Sequence, residues 1–357
     1  MNAPAPRSPG APGRWPGRIL AAVVVLALAA LPVYGDPYTL TTFIRAIYFG
    51  FVALSVALLL GQGGMISLAQ TVFFGMAGYV IGLLGVERGF AFPIPEIAGL
   101  ALVLLTAFLF ALVLMRTHGL VFLMLTLALG QICWSFARQN TSLLHGWAGI
   151  RGIHPPAIPG LDLARHADFY WFSLALFGLA LLAVWRLIES PFGLAINGIR
   201  ENARRMSALG YPVFWQRVIL FMIAAVLAGV GGILAAWSTG IVTPSTLHLN
   251  RMIWILLIVI LGGARHFWGP VLGTVIAVWL DVAISQMTPR YITVIGVIFV
   301  LVILIAPNGI LGVWSTWSAR RKAARAQAET PQVQAPSQSF PTTSTSPSHQ
   351  GHTRRKP

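Results

Sequence analysis

Ser190-Pro191-Phe192-Gly193-Leu194-Ala195-Ile196-Asn197-Gly198-Ile199-Arg200-Glu201-Asn202-Ala203-Arg204-Arg205-Met206-Ser207-Ala208-Leu209-Gly210-Tyr211-Pro212 lies between two long apolar runs, 168–188 and 214–237. A polar, arginine-bearing stretch between runs of about 20 apolar residues reads as a loop joining two membrane-crossing helices. Ser190-Pro191 is a strong helix start, because proline supplies a preset φ where no backbone donor is needed. Gly210 followed by Tyr211-Pro212 is the matching stop. Between them Ile199, Ala203, Met206 and Gly210 recur at i, i+4, i+7 and i+11, which predicts one helical stripe. Arg200, Arg204 and Ser207 fall on the opposite surface. Glu201 and Arg205 stand at i, i+4, an arrangement worth only about 0.3–0.5 kcal/mol.

Two uses of such a helix compete. It can lie on the inner leaflet with its arginines toward lipid phosphates, or dock into a groove on a cytosolic partner. The stripe is narrow, its residues are small, and no aromatic stands between Leu194 and Gly210. Docking is therefore the favoured expectation.

Working outward, the whole chain repeats the pattern of the flanking runs. Of 357 residues 57% are hydrophobic and 9% charged, and mean hydropathy is +0.78. A soluble domain carries about 25% charged residues, so the fold class is an all-α integral membrane protein. Ten spans are predicted, at 19–35, 40–61, 65–86, 97–115, 119–137, 168–188, 214–237, 252–263, 269–287 and 291–306. The third is glycine-rich and the eighth short, so both are expected to be broken or partly re-entrant. Gly75, Gly78, Gly82, Gly229, Gly231 and Gly232 would let helices approach closely. Cys133, the one cysteine, has no internal disulfide partner and reads as a small core or lipid-facing residue.

The net charge of +15 is distributed as a membrane protein requires, not as a nucleic-acid binder would place it. Counted over the alternating loops, 17 Lys and Arg residues fall on the side holding both termini and the 190–217 loop, against 7 on the other. Both termini and that loop are thus expected in the cytoplasm. Three parts follow: a cytoplasmic segment 1–18, a transmembrane domain 19–317 and a basic tail 318–357. The tail is too poor in apolar residues to fold and can meet anionic lipid. The run at 19–35 lacks a clear cleavage site and reads as an uncleaved anchor. The longest outer loop, 138–167, carries Gly and Pro and is a candidate cover for an external opening.

Catalytic chemistry finds no support. A phosphate-binding loop needs G-x-x-x-x-G-K-S/T, and the chain's two lysines, Lys322 and Lys356, do not follow a glycine-rich turn. If ATP drives this protein, the motor is another polypeptide. No H-x-x-x-H pair, carboxylate cluster or serine-hydrolase motif offers a metal site or a nucleophile. Ion-coupled carriers need ionisable residues at membrane depth. Asp281 is the main candidate, but its place near an outer span end favours pairing with an arginine or with headgroup-level water, and Arg45 reads likewise.

Three stretches together resemble the longer permease subunit of bacterial branched-chain amino-acid ABC importers. Gly61-Gln62-Gly63-Gly64-Met65-Ile66-Ser67-Leu68-Ala69-Gln70, with Phe73-Phe74-Gly75 and Tyr79, is similar to the family's G-x-x-G-Q-x-S-L-G-H-A-x-F-x-G-x-G-A-Y, with Met65, Ala69 and Gln70 replacing Gln, Gly and His. Ile199-Arg200-Glu201-Asn202 and Ala208-Leu209-Gly210-Tyr211 resemble its coupling loop, in which glutamate and glycine stand nine residues apart. Leu261-Gly262-Gly263, Trp268-Gly269-Pro270-Val271-Leu272-Gly273 and Ala306-Pro307-Asn308-Gly309-Ile310-Leu311-Gly312 resemble its closing motifs. His145 to Gly152 replaces the family's Thr-Gly-Gly signature.

The resemblance implies a subunit of the bacterial inner membrane working with a second permease as a heterodimer, two ATPases and a periplasmic binding protein. ATP and magnesium would belong to the ATPases, with no cofactor in this chain. Arg200, Glu201, Asn202, Ala203, Leu209 and Gly210 are its implied coupling residues, and Gly64, Ser67, Gln70, Phe73 and Phe74 its candidate path lining. Substrates are expected to be branched-chain or other small hydrophobic amino acids, with urea, amides or aromatic acids as alternatives. An ion-coupled carrier is the rival of a different class, and a membrane-embedded enzyme a weaker one.

Overall fold

The computed structural model describes residues 36–157, 162–264, 266–288, 290–305 and 309. The anchor expected at 19–35 and the tail from 318 lie outside these residues. The other nine predicted spans each contain a helix: α1 (Pro37–Ala57), α2 (Gln70–Ile81), α3 (Ile94–Leu114), α4 (Leu120–Gln139), α6 (His166–Glu189), α8 (Val213–Thr239), α9 (Leu249–Gly262), α10 (Gly269–Met287) and α11 (Tyr291–Ile305). A one-turn α5 (Thr141–Leu144) precedes α6, and α7 (Pro191–Ala208) fills the polar loop. Seven helical segments among the described residues are long and apolar enough to cross a membrane, with α1 and α2 each counted through the π-helix that continues it, to Gln62 and Glu87, and α9 is a shorter apolar one. The chain is an all-α, multi-pass membrane protein.

Lipid tails are as apolar as leucine, so helices in a bilayer associate through close packing and polar contacts. α8 sits at the centre and packs against α1, α2 and α3. Its small residues permit this: Ala224, Ala225 and Ala228 are fully buried. A side chain on Gly232 would strike the Phe74 carbonyl of α2, and one on Gly231 would sit 2.8 Å from the Tyr48 carbonyl of α1. The most apolar stretches of α1 and α8 are 83% and 72% buried, against 22% for α4 and 17% for α6. α4 and α6 therefore form the outer shell, where Leu120, Met124, Ile132 and Phe136 present apolar surface.

A two-stranded antiparallel ribbon joins β1 (Ile150–Arg151), from the loop after α5, to β2 (Ile241–Val242), after α8, with Ile150 opposite Val242. A Cβ on Gly78 would lie 2.8 Å from Val242, and one on Gly82 2.9 Å from Ile150. Gly78-x-x-x-Gly82 thus seats this strand pair, and at Gly78 also meets Ala236 and the Gly232 carbonyl of α8. The 138–167 loop covers the far end of α2 by this contact. Arg45 of α1 donates to Asp281 of α10 at 2.6 Å, so the ionisable residue in the ninth run has the arginine partner its position pointed to.

Candidate functional site

α7 is an elbow. Ser190 caps its start by accepting from the Gly193 amide at 3.3 Å, and the first arm buries Ala195, Ile196 and Ile199. At Asn202 the backbone leaves the helix, with φ −154° and ψ 93°. The Asn202 side chain accepts from the Arg205 amide at 3.0 Å, the bond an N-cap makes to its third helical residue. A second short arm then runs to a Schellman stop: Gly210 (φ +87°) donates to Ser207 and Tyr211 donates to Met206.

The elbow corrects the single stripe expected from spacing. Met206 folds back so that a Cβ on Gly198 would sit 2.8 Å from its sulfur, whereas Gly210 is exposed. No ion pair joins Glu201 to Arg205 among the described residues, because the bend at Asn202 interrupts the turn that would align them. Arg200 is also displaced from the free surface on which spacing put it. Its guanidinium donates to the Gly61 carbonyl, and a Cβ on Gly64 would fall 2.8 Å from its Cγ. Of the six coupling candidates, Glu201, Asn202, Leu209 and Gly210 are exposed, Ala203 is half-buried, and Arg200 turns inward.

Arg200 reaches the break between α1 and α2. α1 widens into a π-turn at Leu58–Gln62, and residues 63–69 form no helix, with Gly64 at φ +65°. The third span, expected to be broken or partly re-entrant, instead lacks helix only over its first residues, 65–69, and then runs without interruption from Gln70 to Glu87 through Gly75, Gly78 and Gly82. Side chains take up the freed backbone donors: Leu68 donates to Thr126 Oγ1 and Ala69 to Ser67 Oγ, each at 3.3 Å. Ser67 and Gln70 are buried. Both polar atoms of the Gln70 amide lack a hydrogen-bond partner among the described residues, which costs about 1–3 kcal/mol.

A cavity of about 350 Å³ opens beside β2, between α1, α2, α8 and α9. Its walls are apolar and aromatic, from Tyr48, Phe49, Phe74 and Ala236, and its charged groups are Arg45 and Arg251. Both guanidinium groups lie over the Phe49 ring, at 5.9 and 5.3 Å from its centroid. Of the five path candidates only Phe74 lines this space. Phe73 instead fills the core, edge-on to Phe221 of α8 at 5.7 Å, and Gly64, Ser67 and Gln70 belong to the break. Sequence reading missed Tyr48, Phe49 and Arg251. The available signal was two arginines, Arg45 and Arg251, at the same end of two apolar runs.

Comparison with known proteins agrees with this architecture. Residues 38–307 match the family described as branched-chain amino acid transport system, permease component. The high-affinity branched-chain amino acid transport system permease protein LivM of Escherichia coli is 25% identical over 316 residues, covering 82% of this chain and 74% of that protein. A probable branched-chain amino acid transport permease protein LivH of Methanocaldococcus jannaschii is 34% identical over 149 residues, 39% of this chain and 45% of that one. The guanosine ABC transporter permease protein NupQ of Bacillus subtilis is 32% identical over 75 residues, 21% of this chain and 24% of that one. No solved structure matches the chain. With the family model covering every described span, this chain belongs to the branched-chain amino acid transport system permease family and is a permease subunit of an ABC importer.

Proposed function

We propose that this permease passes branched-chain or other small hydrophobic amino acids across the bacterial inner membrane, with both termini in the cytoplasm. It works beside a second permease subunit, receives substrate from a periplasmic binding protein, and is driven by two ATPase subunits that carry the ATP and magnesium. The names of the relatives support the substrate class, and the uneven arginines support the orientation.

The observation that carries the coupling reading is the bond from Arg200 to the Gly61 carbonyl. The exposed elbow, Glu201 to Gly210, is the docking surface for an ATPase groove. When the ATPases close, the elbow shifts and Arg200 pulls on the break. Residues 63–69 have no helical backbone and run into the unsatisfied Gln70 amide at the start of α2, so the break is the place where α2 can be re-aimed. α2 carries Phe74 into the cavity wall, so its tilt opens or closes that space. An ion-coupled carrier is disfavoured, since Asp281 is held by Arg45 at 2.6 Å.

The test is Glu201→Arg in the assembled transporter. ATP-driven leucine uptake is expected to fall to background while the subunit stays in the membrane at normal abundance. Unchanged uptake would remove the docking role from this surface.

A further inference from the structure

A second and much smaller cavity lies where the chain leaves α1. The π-turn there has Gly63 donating to the Leu58 carbonyl at 3.3 Å, and its last residue is Gln62. Across the cavity stands the loop between α9 and α10. That loop is turned tightly on itself: His266 donates to the Gly263 carbonyl at 3.0 Å, and Gly269 donates to the His266 carbonyl at 2.9 Å. A side chain on Gly269 would strike the Gly263 carbonyl. The backbone therefore fixes where the His266 ring stands.

Gln62 and His266 line this one space, of about 20 Å³. Its other walls are apolar, among them Leu58 of α1, Val184 of α6 and Pro270 of α10. Gln62 Oε1 and His266 Nδ1 are both buried, and neither has a hydrogen-bond partner among the described residues. They therefore do not bond each other. Buried polar atoms are costly unless paired, and here two orphans meet at one apolar cavity. A buried water needs about 10–15 Å³ and about two to four polar partners, so this cavity has room for one molecule and supplies the partners. The donor chemistry also suits water. An amide oxygen only accepts, whereas a ring nitrogen accepts or donates according to tautomer, and water can answer both.

We propose that this cavity binds one ordered water molecule, which donates to Gln62 Oε1 and bonds His266 Nδ1. The water ties the loop between α9 and α10 to the end of α1. The break is then held from two sides: by Arg200 at the Gly61 carbonyl, and through water by His266 at Gln62, the next residue. The site rests on the cavity, the loop and the orphaned atoms, and does not depend on the importer reading above.

Radiolytic footprinting of the intact transporter in nanodiscs tests this, because an X-ray pulse turns a bound water into a hydroxyl radical that oxidises the side chains beside it. Leu58 lines the cavity and Leu59 does not, although both are buried, at 3% and 0% exposed. Oxidation of Leu58 and Val184 is expected several-fold above that of Leu59. Gln62→Leu and His266→Leu should each abolish the excess. Equal oxidation of Leu58 and Leu59, or an excess that survives both leucine variants, would overturn the proposal. Should a variant fail to accumulate, the comparison of Leu58 with Leu59 in the unaltered protein still decides. Melting supplies a second measure that needs no radical. Each leucine variant strands the other polar atom, so the double variant should melt no lower than the less stable single one. Losses that simply add would mean that no water joins the two residues. Neither readout uses substrate or ATP, so this site and the importer reading fail separately.

Discussion

The break before α2 and the cavity along α2 lie on one helix and are built in opposite ways. In the break, backbone atoms and small side chains do the work: buried Gly61 and Ser67, exposed Gly64, and the half-buried Arg200 stem that lies against it. In the cavity, large rings and charged groups surround open space. A site that must change shape is made from glycine and borrowed hydrogen bonds, because these let the backbone take new angles. A site that must recognise a ligand is made from rigid rings and fixed charges, because recognition needs preformed partners. α2, twelve residues long and pressed against α8, is the lever between the two.

The harshest way to break this comparison is to unseat the lever. Gly232→Val drives a side chain into the Phe74 carbonyl, and overpacking of this kind costs about 3 kcal/mol. Most of the detergent-stable protein should be lost, with a clear fall in melting temperature by size-exclusion thermal scanning. Gly178→Ala is the control: nothing lies within 4 Å of the added carbon, so stability should stay within about 0.5 kcal/mol. Wild-type melting for Gly232→Val would mean α2 is not held by α8, and break and cavity would then be independent.

A milder perturbation sharpens the distinction. Arg200→Ala removes the bond to Gly61 but leaves the cavity intact. A hydrogen bond from a charged group to a carbonyl contributes about 1.5 kcal/mol or more, close to tenfold in any equilibrium it biases. Uptake should fall by about that factor, while thiol labelling of Thr239→Cys on the cavity wall, in a Cys133→Ser background, stays unchanged. Arg200→Lys, which keeps the charge and one donor, should recover part of the loss. A fall in cavity labelling equal to the fall in uptake would show that break and cavity are one site.

Much of this was legible in the sequence, and the rest was hidden for physical reasons. Run length and arginine placement gave the spans, because bilayer thickness and membrane insertion act on local composition. Ser190-Pro191 and Gly210 marked the ends of α7, because caps are made by nearby residues. The bend at Asn202 was not visible, since a periodic stripe reports spacing and not the backbone angle of one residue. Asparagine's taste for the N-cap was the only hint. The inward turn of Arg200 was likewise hidden, because its partner, Gly61, is 139 residues away. The cavity was harder still: Arg45 and Arg251 meet at the ring of Phe49 only after α1 and α9 have packed.

The finest test concerns the elbow itself. Asn202 makes two arms from one sequence by accepting the Arg205 amide at 3.0 Å while its own backbone is extended. Replacing an N-cap asparagine by alanine costs about 1 kcal/mol, too little to unfold the subunit. The penalty should fall on the second arm, which packs through half-buried Ala203 and Met206 and ends exposed at Leu209 and Gly210. In Asn202→Ala, amide exchange should therefore speed up about fivefold at residues 203–209 and stay unchanged at 192–199, where Ile196 and Ile199 are buried. Asn202→Asp, which keeps an acceptor at the same place, should restore slow exchange. If exchange rises equally on both sides of residue 202, α7 behaves as one continuous helix. The elbow would then be no hinge, and the exposed arm could not shift on its own while Arg200 holds the break.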